Sequence, residues 1–157
     1  MSKTTPATKA LSQAGRPFAL LTYDYDPNAE RVGLQAAEAL GLPPSQVFKT
    51  LMAELDGKPV CAILPSDEEA NMKKLAAALS GKSARMMKPA DAERLTGYKV
   101  GGISPLGQRK PVPTLLDETA LLFDTIVVNG GQRGLQIEIA PADLIAALSC
   151  ATADLTR

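Results

Sequence analysis

The residues of this chain that could do chemistry are few, and histidine is not among them. The 157 residues hold 17 Lys plus Arg, 17 Asp plus Glu, two Cys and no His. Without imidazole there is no Ser-His-Asp or Cys-His relay and no histidine zinc site. Lysine, carboxylates, hydroxyls, backbone amides and the substrate's own groups are left. Lys49 stands out among them. If residues 47–55 form a strand, Val47, Lys49, Leu51, Ala53 and Leu55 share one face, and the lysine is its only polar member. Burying an unpaired ammonium is costly, so Lys49 snorkels to the surface, meets a carboxylate, or meets a ligand's negative charge at a pocket floor.

Glycine supplies the other candidates. GGISP, residues 101–105, sets two side-chain-free amides before a hydroxyl. That pattern suits developing negative charge and equally suits simple turning of the chain. Asn129-Gly130-Gly131 reads as a hairpin turn. TYDYDP, residues 22–27, reads as a solvated turn, because its acids lack metal-ligand spacing. Cys61 and Cys150 sit in apolar runs without CxxC spacing, as small buried hydrophobes of a reducing compartment do. No metal and no cofactor is expected.

The elements that must position these residues follow from periodicity and punctuation. Thr4 or Thr5 caps a first helix that runs to Gly15. Residues 18–25 read as a strand stopped by Asp26-Pro27-Asn28, and residues 32–40 as a helix closed by Gly41. Residues 47–55 and 59–64 around Asp56-Gly57-Lys58 predict a β-hairpin. Helices follow over 71–80 and 89–95, with a short strand at 84–87 between them. Four glycines and three prolines make residues 97–113 a long structured loop. A hairpin-like unit over 125–139 and a helix over 141–149 complete the chain. The expected fold class is α+β: one domain spanning 1–157, with a strongly bent, mixed but mostly antiparallel sheet or small barrel and helices packed around it.

Charge is balanced overall and uneven locally. Residues 73–110 carry nine bases against two acids, a net of +7, which leaves −7 on the remainder. A basic stripe of this kind fits a phosphate backbone, and also fits a solvated lysine-rich helix face. The N-terminal residues contain no apolar h-region and no run of 18 apolar residues occurs, so a cytoplasmic location without a membrane span is expected.

TYDYDP, VFKTL at 47–51, TGYKVGGISPLGQRKPVPTLLD at 96–117 and NGGQRGLQIEI at 129–139 together resemble the YbaK family, in order and over nearly the whole chain. These are free-standing bacterial relatives of the editing domain inserted in prolyl-tRNA synthetases. The resemblance implies a deacylase that hydrolyses mischarged tRNA in trans, with Cys-tRNA(Pro) as the expected substrate. Its partners would be the tRNA acceptor end and a prolyl-tRNA synthetase. It also implies that Lys49, Gly101 and Gly102 are catalytic, and that Tyr23, Val32, Thr50, Ser104, Asn129 and Gln136 bind substrate. The nucleophile it implies is the substrate's own cysteinyl thiol, with water as the alternative. Three positions depart from the family pattern: Val32 replaces a phenylalanine, Asn129 a small hydroxyl residue and Gln136 an aspartate. All three are expected around the amino acid, so another small mischarged residue is an open substrate. A non-catalytic module that holds the acceptor end is the competing class of function.

Overall fold

A reciprocal cap starts the fold: the Thr5 hydroxyl accepts the Thr8 amide while the Thr8 hydroxyl accepts the Thr5 amide. The helix so begun is α1, Pro6–Ala14, closed by Gly15 at φ 69. The computed structural model describes residues 4–30 and 34–157. After α1 come strand β1 (Ala19–Thr22), helix α2 (Gln35–Leu40), strands β2 (Phe48–Leu55) and β3 (Lys58–Pro65), and helix α3 (Met72–Ala78). Strand β4 (Ala84–Met86), helix α4 (Pro89–Thr96) and strand β5 (Thr114–Asp117) follow, then a 3-10 turn at Glu118–Leu122. The chain ends through β6 (Ile126–Gln132), β7 (Leu135–Ile139), α5 (Pro141–Leu148) and β8 (Ala151–Ala153).

The strands form a mixed pair of sheets. One has the order β4-β2-β3-β5-β8 and the other β1-β7-β6. Pairing is antiparallel except for β3 with β5 and β5 with β8. The β2–β3 hairpin turns through Asp56 and Gly57, both at positive φ, 50 and 85, as the twist of a two-residue connection requires. Strand β3 is buried on both faces, which is why its sequence is continuously apolar rather than alternating. Cys61 and Ile63 join Phe48, Met52 and Leu116 in the central core with Ile126, Val128, Ile137 and Ile139 of the other sheet. Val60, Ala62 and Leu64 pack with Leu75 of α3 on the far side. Among the described residues, the sheets join at one isolated parallel bridge, Val47 to Val127, where the Val127 amide donates to Gln46 O at 3.1 Å. The fold is thus α+β with mixed sheets that bend around a shared core without closing into a barrel.

Several expectations need correction. The first strand is four residues, Ala19–Thr22, because the segment after it leaves β7 once Tyr23 N has bonded Gly134 O. Asn129-Gly130-Gly131 is not the hairpin turn: it lies inside β6, and the turn is Arg133-Gly134. The glycines are there for close packing. A Cβ on Gly130 would sit 2.9 Å from Leu135 Cγ, and Gly131, at φ 92 in a bulge, lies against Tyr98 and Thr5. Strands β5 and β8 have no counterpart among the expected elements. The apolar members of the Lys49 row are packed in a core, though not in the one between the sheets. Leu51, Ala53 and Leu55 pack toward α3, while Phe48 and Met52 of the alternate row fill the space between the sheets.

Candidate active site

Near the bridge between the sheets, β2 walls a cavity of about 380 Å³. Lys49 is the one charged side chain that lines it among the described residues. Its ammonium is half-buried, and that burial pushes its pKa down; Glu69, then Asp67 and Glu68, pull it partly back up. No ion pair ties it to any described carboxylate. Beside it Thr50 also lines the cavity, with its hydroxyl oxygen buried and unpartnered among the described residues.

The opposite wall comes from the second sheet and the glycine loop. Gln136 of β7 is 4% exposed and reaches the cavity. Asn129, its cross-strand partner on β6, uses both ends of its amide: Nδ2 donates to Gly101 O at 3.1 Å and Oδ1 accepts the Gly131 amide at 2.7 Å. Asn129 therefore fixes the loop that carries Gly101. At φ 90 Gly101 adopts a backbone region that disfavours side chains, and a Cβ there would stand 2.8 Å from the Tyr25 hydroxyl. Among the described residues its N–H has no backbone acceptor. Tyr23 shares the cavity, and burial, then the neighbouring Tyr25, raises its phenol pKa, so it remains a hydroxyl donor at neutral pH.

Lys49, Thr50, Gly101, Tyr23, Asn129 and Gln136 thus line one cavity. Gly102 and Ser104 do not line it. The Gly102 N–H donates to Lys99 O at 2.8 Å, and a Cβ there would press at 2.9 Å on the backbone of Arg133. The fully buried Ser104 hydroxyl accepts the Leu106 amide at 3.2 Å and its carbonyl accepts Gln108 Nε2, so it staples the loop from behind. Val32 lies outside the described residues.

Sequence reasoning passed over other members. Tyr25 lines the cavity two residues after Tyr23, an alternation visible in TYDYDP once the segment is read as extended. Arg133 lies over the Tyr25 ring, 5.3 Å from its centroid, and donates from Nε to Val100 O at 2.9 Å. Met52, Met87, Phe48 and Ile103 give the remaining wall an adaptable apolar surface.

Residues 26–147 match the aminoacyl-tRNA editing domain family. An Enterococcus faecalis protein that carries the name Cys-tRNA(Pro)/Cys-tRNA(Cys) deacylase EbsC is 40% identical over 121 residues, 76% of this chain and 74% of that one. The multifunctional Ser/Thr-tRNA deacylase ProXp-y of Escherichia coli (strain K12) is 29% identical over 140 residues, 86% of this chain and 81% of its own. A crystal structure described as a trans-editing enzyme for prolyl tRNA synthetase superposes with a TM-score of 0.81 at 23% identity, covering 99% of this chain and 95% of that one; this likeness is one of fold. With a match across most of its length and the cavity-lining residues inside or next to that span, the chain belongs to the aminoacyl-tRNA editing domain family.

Proposed function

We propose that this member of the editing family, an aminoacyl-tRNA deacylase, removes cysteine from mischarged tRNA(Pro) in trans, with the substrate's own thiol as nucleophile. One observation carries the reading: Lys49 and Gly101 line the same cavity, whose remaining wall is largely aliphatic and thioether. A cation and a free amide can stabilise negative charge growing on an ester carbonyl, most strongly where water is excluded. The chain's own thiols are poor candidates for attack. Burial pushes the Cys61 thiol up to about 12 and raises that of Cys150, and neither lines the cavity.

In the proposed step the cysteinyl sulfur forms a bond to its own carbonyl carbon and the carbon–oxygen ester bond breaks. The electron pair leaves on the ribose oxygen, which takes the thiol proton, and the amino acid departs as a four-membered thiolactone that water opens. Enforced proximity supplies the rate advantage, so the protein need only hold and polarise the ester. The EbsC likeness supports cysteine as the amino acid. A second reading rests on Thr50, whose buried hydroxyl awaits a polar partner: serine or threonine in the cavity, with water as nucleophile.

Ester loss from tRNAs that bear cysteine, S-methylcysteine, alanine, serine, threonine or proline tests both. Cysteine should be released fastest and S-methylcysteine, which cannot attack itself, hardly at all. Lys49→Ala should lower kcat by about 10²–10³. Equal release of cysteine and its S-methyl form would remove the thiol mechanism, and undiminished turnover by Lys49→Ala would remove the role of that lysine.

A further inference from the structure

The basic stretch 73–110 does not act as one patch. Three of its nine bases are neutralised: Lys74 by Asp154 at 2.6 Å, Arg85 by Glu54 at 3.1 Å and Arg94 by Asp91. Its two acids are also engaged, Asp91 by Arg94 and Glu93 through the Val100 amide at 2.8 Å. Of the bases with no ion pair among the described residues, two are exposed and adjoin cavity-lining residues in the sequence. Lys88 is exposed between Met87 and Pro89, which both line the cavity, and exposed Lys99 immediately precedes the lining residue Val100. Arg133, from the other sheet, also adjoins the lining: it bonds Val100 O, and its Nε would lie 3.3 Å from a Cβ on Gly101. Asp24 is exposed between the two lining tyrosines, and Asp26 is held by the Asn28 amide. Met86 and Val100, 48% and 43% exposed, add apolar surface to the lining.

We propose that Lys88, Lys99 and Arg133 form a phosphate-binding rim that seats the 3′ end of the RNA while its ester enters the cavity. The inference deepens the deacylase reading and rests on it for the identity of the strand. An aminoacyl ester at a strand's 3′ end brings its backbone phosphates to the cavity, whose lining these three cations adjoin. Lys74 and Arg85 already have carboxylate partners and belong to the basic stretch without belonging to the rim.

The test follows log(kcat/KM) against log[salt] for aminoacyl-tRNA, and the ratio of kcat/KM between aminoacyl-tRNA and aminoacyl-adenosine, which has no phosphates. Lys88→Ala, Lys99→Ala and Arg133→Ala should each flatten the salt slope by about 0.7–0.9 and lower the substrate ratio. For each phosphate no longer neutralised, about threefold of the fall between 50 and 200 mM salt should disappear. Lys74→Ala and Arg85→Ala should keep the wild-type slope and ratio. Arg133→Lys keeps the charge but not the fork, so it should keep the slope if phosphate attraction is the role. Slopes that ignore all three rim substitutions overturn the proposal, as do effects seen only with a prolyl-tRNA synthetase present, which would make the rim a protein-docking surface. Anisotropy titration of uncharged tRNA repeats the slope measurement without chemistry. Rim-dependent binding by a protein that releases no amino acid would overturn the deacylase reading alone.

Discussion

Two opposing influences set the proton affinity of Lys49. Desolvation favours the neutral amine, and the carboxylates of Glu69, Asp67 and Glu68 favour the ammonium. Desolvation is the larger, so the native state gives up this proton below the 10.5 of a free lysine. Between the two pKa values the unfolded chain binds more protons, and the contribution of this group to stability rises with pH and is lost as pH falls through the folded value. If the cation is the working form, deacylation must have an alkaline limb that falls below pH 10.5. Glu69→Gln removes an influence that raises the pKa, so the limb should move to lower pH in that variant. A pH profile of kcat for both proteins on one charged tRNA measures this directly, and a limb that moves upward or stays would show that the titrating group lies elsewhere. Lys49 itself was readable from the sequence because one polar residue in an apolar row is a conspicuous exception. What alternation could not tell was which side of β2 would hold the larger core.

The loop 97–113 is the element on which site geometry depends most. Tyr98 ties its start to Leu106 O at 2.6 Å, Asn129 holds Gly101, and Gly102 is pressed on the β6–β7 turn. Gly102→Ala would put a methyl 2.9 Å from Arg133 N and 3.1 Å from Gln132 C, both backbone atoms with little freedom to yield. Because an ångström of misplacement can cost about 10²-fold, this substitution should lower kcat/KM by between about tenfold and a hundredfold while circular dichroism stays native. Wild-type kinetics in this variant would show that the loop's exact seating is unimportant. The loop was legible as an ordered connection because its glycines and prolines alternate with Tyr98, Val100, Ile103 and Leu106. Other elements were hidden for physical reasons. Strand β5 is four residues and β8 three, and both pair in parallel with strands distant in sequence, so no local turn marks them. Asn129-Gly130-Gly131 imitates a turn because a bulge packed closely on a neighbouring side chain demands the same residues as a reversal.

Across the whole molecule, the cavity draws on both sheets. Lys49 and Thr50 come from the five-stranded sheet, and Asn129 and Gln136 from the three-stranded one. The described strands of the two sheets share the central core and are hydrogen-bonded at the Val47–Val127 bridge, beside which Gln46 Nε2 donates to Thr125 O at 2.9 Å. A ligand that touches both walls should therefore stabilise this junction more than either sheet alone. With an uncleavable amide-linked aminoacyl-tRNA analogue at 100 times its Kd, mass action gives about 2.7 kcal/mol of added stability. Hydrogen exchange should then slow more at the Val127 amide than at amides inside the β2–β3 hairpin. Uniform slowing would mean that the analogue protects the molecule as one unit. Since the reacting ester would be gripped from both sheets, a small slide of one past the other across their shared core would change the spacing between Lys49 and Gln136 without altering either residue. Mutations far out in either half that shift this slide could retune which amino acid is accepted, and a search for altered specificity should include them.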